Sequence, residues 1–149
     1  LPNPNNKDDV GNVRLGRRHS ACVTSWRYLV LESDEAETDL WLKALVQLPL
    51  PIAAIYSSGG RSVHALVRLD SEAKLDWDKL RDELIPMLCP IGADPAAMTA
   101  VRLSRLPGTM RSGKRRKDGE LQRFGTPKLQ ELAWLNPEAQ AVPIISLAR

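Results

Sequence analysis

The sequence predicts an α+β domain, a mixed or antiparallel sheet with helices packed on one face. Three observations lead there. Apolar, branched and aromatic runs of strand length occur at residues 28–31, 52–56, 62–69 and 101–106. Only two stretches, 40–48 and 76–88, carry apolar residues at helical spacing. Two of the strand segments are separated by only residues 57–61, with Ser57-Ser58-Gly59-Gly60 as a tight turn, too short a link for a helical crossover. Strands that are not regularly separated by helices do not build a doubly wound parallel sheet.

Length and composition set the bounds. The chain has 149 residues, 43% hydrophobic and 26% charged, and this suits one globular domain with a real core. No apolar run is long enough for a membrane span and no signal peptide opens the chain, so a cytoplasmic setting with no membrane partner is expected. The first residue is Leu1, and the chain reads as part of a longer protein. Cys22 and Cys89 lack metal-ligand spacing and read as buried thiols in a reducing compartment, with a disulfide unforced. The net charge of +3 conceals a polarity: residues 101–128 carry nine Lys/Arg against Asp118 and Glu120, leaving the rest acidic. Such a distribution points to a polyanionic partner held against one side, although basic loops are often only solvated surface.

Taken in order, residues 1–12 are rich in Pro, Asn and Asp and read as a flexible arm, with 13–149 as the domain. Residues 13–23 are ambiguous, and His19 beside Arg17 and Arg18 reads as a surface residue. The first strong strand runs from Cys22 to Leu31, most apolar from Tyr28 onward. A helix follows, its acidic N-terminal turn (Glu35, Glu37, Asp39) favoured by the macrodipole, with Trp41 beside an apolar face of Leu40, Leu42, Leu45, Val46 and Leu48. Pro49 and Pro51 end it. Residues 52–69 read as a β-hairpin, with Ser62, His64, Leu66 and Arg68 on one face. A second helix spans 76–88, with Trp77, Leu80, Leu84 and Leu88 on one stripe and Asp76 or Asp78 near its start. Pro90, Gly92 and Pro95 then break the chain around Asp94. Residues 101–106 alternate as a strand, 112–119 read as a basic loop, and 121–135 as strand or helix with a strand favoured at 132–135. The apolar tail from Pro137 is expected to dock on the body or on a neighbour.

Three constellations carry chemistry. Glu32 and Asp34 sit two residues apart at a strand end and point to one side. Their mutual repulsion calls for a cation between them, and hard oxygen ligands suit Mg²⁺ or Mn²⁺. The same residues, taken alone, also read as a strand running into an acidic turn and helix cap. The second constellation is Gly59-Gly60-Arg61-Ser62-Val63-His64, where glycines permit close backbone approach to a phosphate and Ser62 and His64 share a face. A lone His on a strand is also a common structural residue, and Ser-x-His is no hydrolytic triad. The third is Asp94, placed to complete a carboxylate trio on entering the sheet, with Arg102, Arg105 and Arg111 downstream. On an ideal strand Arg102 and Arg105 face opposite sides.

Together these residues resemble the archaeo-eukaryotic primase superfamily. Glu32-Ser33-Asp34, Ser62-Val63-His64 and Asp94 are similar to its acid-x-acid, Ser-x-His and later Asp motifs. Two longer strings, Ser58-Gly59-Gly60-Arg61-Ser62-Val63-His64 and Arg105-Leu106-Pro107-Gly108, resemble the phage- and plasmid-type primase-polymerases and their bacterial relatives. The resemblance spans 28–137, with 132–137 similar to the closing strand. It implies a modified RNA-recognition-like catalytic core and a DNA primase or DNA-directed polymerase, a nucleotidyltransferase encoded by a bacterium, phage or plasmid. Glu32, Asp34 and Asp94 would hold two Mg²⁺ or Mn²⁺ ions, Glu32 departing from the commoner Asp. Arg61, Ser62 and His64 would meet the triphosphate of an NTP or dNTP, with His64 in the catalytic set. Arg102, Arg105 and Arg111 match basic positions that bind phosphates or support the site. Lys114, Arg115, Arg116 and Lys117 read as a template-contacting or merely solvated loop. Expected partners are a single-stranded DNA template, a primer, nucleoside triphosphates and a helicase or accessory priming domain in the flanks.

Two other classes compete. A non-catalytic RNA-recognition-like binding module would keep the sheet and basic face but could dispense with the three acids. A metal-dependent replication-initiator nuclease would want paired metal-binding histidines and a nucleophilic Tyr, whereas His64 is solitary and both tyrosines fall in strands.

Overall fold

A computed structural model describes residues 20, 23–60, 62–116 and 119–140, without the side chains of 114 and 115. The expected N-terminal arm, His19, Cys22, Arg61, Lys117 and the end of the tail lie outside the described residues. The elements are β1 (Trp26–Leu31), α1 (Thr38–Gln47), β2 (Ile52–Ser57), β3 (Val63–Ser71), α2 (Lys74–Leu88), β4 (Met110–Arg115), β5 (Leu121–Leu129) and β6 (Leu132–Leu135), with a 3₁₀ turn at Cys89–Ile91. β1, β3, β2 and β6 form a four-stranded sheet in that spatial order, and β4 and β5 form a separate hairpin. Every pairing is antiparallel, so this is an α+β fold with no parallel component among the described strands.

The pleat divides the main sheet into two faces. Leu29 and Leu31 of β1 join Val63, Ala65, Val67 and Leu69 of β3 in one core with Trp41 and Leu45 of α1 and Trp77, Leu84 and Leu88 of α2. A bulge in β2 between Ile52 and Ala54 turns both Ile52 and Ile55 toward this core, although they are three residues apart. Both helices therefore cover one face, as the sequence pattern requires. Each is fastened to the sheet by an indole: Trp41 Nε1 donates to the Val63 carbonyl at 2.9 Å and Trp77 Nε1 to the Tyr28 carbonyl at 3.2 Å.

Several sequence expectations change. The buried face of α1 is Trp41 and Leu45, while Leu40 and Val46 are more than half exposed. Apolar residues surround this short helix, so spacing alone could not select the covered side. Glu37 caps α1, accepting from the Leu40 N–H at 3.3 Å, whereas Ala73 caps α2 with no side-chain bond. Tyr28 is 43% exposed, so the buried part of β1 is Leu29–Val30–Leu31. Residues 101–106 are not a strand. They pair with no strand, and Leu103 and Leu106 are about 70% exposed, so their alternation reflects no buried face. The supposed basic loop is largely strand β4. Of the apolar tail, Ala139 is buried and its carbonyl accepts from Arg68 at 2.8 Å, docking at least this part on the sheet.

The Trp41 bond sits at the start of the strand that carries His64. Trp41→Phe should lower unfolding free energy by about 1–3 kcal/mol, because a buried carbonyl loses its donor and some packing volume goes with it. Urea denaturation followed by circular dichroism measures this.

Candidate active site

The second face of the sheet is polar at one end. Val30, Ala54, Tyr56, His64 and Leu66 lie on it, and one residue beyond β1 the same parity brings Glu32. Glu32 is only 3% exposed. Asp94 reaches it from the far side of α2. The 3₁₀ turn ends at Gly92 in the left-handed region (φ 103°), and the Asp94 N–H then donates to the Glu32 carbonyl at 2.8 Å. Asp94 completes the trio from a loop and does not enter the sheet. Its Oδ1 accepts from the Ala96 N–H at 2.8 Å, which fixes the turn. Asp34 lies in the turn between β1 and α1, where Ser33 Oγ accepts from the Ala36 N–H at 2.9 Å.

Glu32, Asp34 and Asp94 each offer one carboxylate oxygen, and these atoms lie within 4.8 Å of one another. The cap function belongs to Glu37, which leaves Glu32 and Asp34 without that explanation. The donor set is hard and all-oxygen, the chemistry that suits Mg²⁺ or Mn²⁺.

Ser62, His64, Arg102, Arg105 and Arg111 share with Glu32 and Asp34 a cleft of about 600 Å³. A second cavity of about 380 Å³ shares Asp34, Ser58, Ser62 and Arg111 with it and continues along the start of α1. Arg102 and Arg105 both line the cleft, contrary to the ideal-strand expectation, because the irregular 101–106 backbone lifts the alternation constraint. Arg102 pairs with Glu32 Oε1 and His64 Nε2 lies 3.2 Å from Glu32 Oε2. A carboxylate has about four acceptor sites, so both contacts leave room for a cation.

Arg111 comes from β4. Its Nη1 is 3.5 Å from the Ser58 carbonyl and its guanidinium 5.2 Å from the Phe124 ring centre. Burial first, then the charge of Arg105, lowers its basicity. Gly59 makes this placement possible. At φ 66° it takes a left-handed turn, and a Cβ there would come within 3.1 Å of both Arg111 Cβ and Gln130 Cγ. The close approach that this glycine permits is thus to Arg111 and Gln130. Ser62 Oγ and Arg111 Nε, both shielded from solvent, have no hydrogen-bond partner among the described residues, and buried polar atoms ordinarily find one.

Proximity alone would make His64 and Glu32 a charged pair, but burial is the larger influence on His64. With Arg105 and Arg111 adding to it and Asp34 opposing, the imidazole is pulled from 6.5 to about 4. Burial therefore favours the neutral form of His64 near pH 7.

The structure thus brings together Glu32, Asp34, Asp94, Ser62, His64, Arg102, Arg105 and Arg111. Of the basic run 114–117, Lys114 and Arg115 belong to β4 and Arg116 is exposed, while Lys117 lies outside the described residues. Sequence reading missed Tyr56 and Ser104. The Tyr56 hydroxyl bonds Ser104 Oγ, which is 3.4 Å from His64 Nδ1. The hairpin register, which pairs Tyr56 with His64, could have exposed the first; nothing local exposes the second.

No protein-family model, curated protein or solved structure matches this chain. Among the described residues, no helix is long and apolar enough to cross a membrane.

The depressed His64 value has a defined consequence for stability. The unfolded chain takes up a proton near pH 6.5 that the folded chain resists until about pH 4. Stability should be full above pH 6.5 and fall as pH drops through that window, by on the order of 3 kcal/mol in all. Proton NMR should show the His64 ring titrating near pH 4, and His64→Gln should flatten this part of the stability–pH curve.

Proposed function

We propose that this chain is the catalytic core of a DNA primase or primase-polymerase, joining nucleotides on a single-stranded DNA template. The supporting observation is a trio of carboxylates, each with an oxygen within 4.8 Å of the others, of which Glu32 and Asp34 share one cleft with Arg102, Arg105 and Arg111. Phosphoryl transfer needs this division of labour, since its catalysis is chiefly positioning and charge neutralisation.

Glu32, Asp34 and Asp94 would hold divalent ions, Mg²⁺ or Mn²⁺, two in the reading by resemblance. Bound there, such ions supply activation of the attacking 3′-oxygen and charge neutralisation at the leaving pyrophosphate. The remaining work belongs to the chain. Arg105 and Arg111 supply positive charge in the cleft, and Ser62 Oγ and Arg111 Nε, without a hydrogen-bond partner among the described residues, are polar atoms suited to phosphate oxygens. His64, whose basicity burial lowers, adds little positive charge near pH 7. Arg102 neutralises Glu32.

Arg61 would extend the triphosphate wall, and the basic residues at 114–117 would face the template. Deoxyribo- or ribonucleoside triphosphates are the substrates, primer and template the partners, and a helicase or priming domain the expected attachment. A bacterial, phage or plasmid-encoded cytoplasmic protein fits this role.

The test is incorporation of labelled NTPs and dNTPs on a primed single-stranded template with Mn²⁺ or Mg²⁺. The wild type should extend the primer, and Asp34→Ala should lose at least a hundredfold in rate while melting within a few degrees of it, because Asp34 is exposed. Equal product from both proteins would remove the metal assignment.

A further inference from the structure

We propose that the β4–β5 hairpin is a docking arm for a single-stranded nucleic acid, with Lys128 and Arg123 of β5 binding its phosphates in line with Arg111. The link to catalysis rests on the nucleotidyltransferase reading; the binding surface itself does not.

The charge comes first. Residues 110–129 carry seven Lys/Arg against Asp118 and Glu120, and the remaining chain is net acidic. The two strands pair only with each other, and β5 is exposed at every position except Phe124. Arg123 and Lys128 are both exposed, and neither meets a carboxylate among the described residues. Unpaired cations gathered on one bare element repel each other, and a polyanion laid along them relieves that repulsion and releases its own counterions.

Register puts these charges in one file. Arg111 is paired with Lys128, and Gly113 with Arg123. Residues opposite each other share a face, and 111 and 113 share one by the two-residue period, so Lys128 and Arg123 stand on the side from which Arg111 reaches the cleft. Gly113 puts no side chain in the file: a Cβ there would come within 2.5 Å of the Gln122 carbonyl oxygen and 3.1 Å of Arg123 Cα. Met110 and Leu129, an exposed apolar pair, belong to the opposite face. A lipid surface would need basic and apolar groups turned toward it together, and this hairpin separates them. A single file of cations leading out of the cleft suits the phosphates of one strand, whereas a duplex presents two rows. Such contacts carry no base preference, and the hairpin's one aromatic residue, Phe124, lies against Arg111.

The experiment titrates the full chain, without nucleotide, into fluorescein-labelled single-stranded DNA, one probe poly-dT and one of mixed sequence, and reads anisotropy over a range of salt. The wild type should bind both alike. Arg123→Gln and Lys128→Gln should each weaken binding about three- to tenfold and lower the slope of log K against log salt by about 0.7. Arg123→Lys and Lys128→Arg should keep affinity and slope, which separates charge from packing. Lys79→Gln removes the same charge from an exposed position of α2 and should change neither. Gln variants that bind as the wild type does, or a Lys79→Gln loss as large as theirs, overturn the proposal. So does a preference for duplex DNA, or for phosphatidylserine vesicles, that depends on the same two residues. In primer extension, the Arg123→Gln/Lys128→Gln double variant should raise the KM for primed template with that for nucleotide unchanged, and an unchanged template KM removes the link to catalysis. A wild type that binds as expected but performs no template-directed synthesis sinks the functional reading and leaves the docking arm standing.

Discussion

Burial of the Glu32 carboxylate is the constraint around which the polar half of the molecule is arranged. An ionised group so enclosed is tolerable only with charge and hydrogen-bond partners in place. Arg102 arrives from the 101–106 segment, His64 from β3, and the Asp94 backbone from the turn beyond α2. Four regions remote in sequence are thus tied at one residue. Glu32 offers a ligand oxygen alongside Asp34 and Asp94, so the same knot is also the candidate metal site.

A single antiparallel sheet serves two chemistries because its pleat separates them. One face is closed by α1 and α2 over Leu29, Leu31 and Val63, Ala65, Val67 and Leu69 of β3. The other carries Tyr56, His64 and, by continuation, Glu32. The core is thereby spared the cost of enclosing these polar groups, and the indoles of Trp41 and Trp77 bond the backbone of strands that also carry site-facing residues. The β4–β5 hairpin adds Arg111, admitted by the turn at Gly59, to the cleft that Glu32 and Asp34 line.

Much of this was readable in advance. The strong strands, the β2–β3 hairpin, both helices and β6 follow from apolar period, breakers and turn residues, which act locally. The strand expected at 101–106 and the loop expected at 112–115 both fail for one reason. Alternation along 101–106 imitates a strand, but a strand exists only where a partner supplies hydrogen bonds, and that partner is a nonlocal fact. Conversely β4, being basic and carrying a glycine, lacks a strand's composition and exists because β5 pairs with it. In α1 the covered side was set by where the sheet lies.

The residue types of the candidate site were fixed by the sequence alone: two acids with strand parity at a strand end, a third beyond a helix, a serine and a histidine sharing a face, and arginines downstream. Tertiary structure decided which of them meet. It set Asp94 beside Glu32, gave Arg102 to that same carboxylate, turned Arg102 and Arg105 into one cleft, and recruited Tyr56 and Ser104 to His64. Periodicity carries orientation over a few residues, whereas convergence depends on how separate segments fold back on each other, and no local pattern encodes that distance.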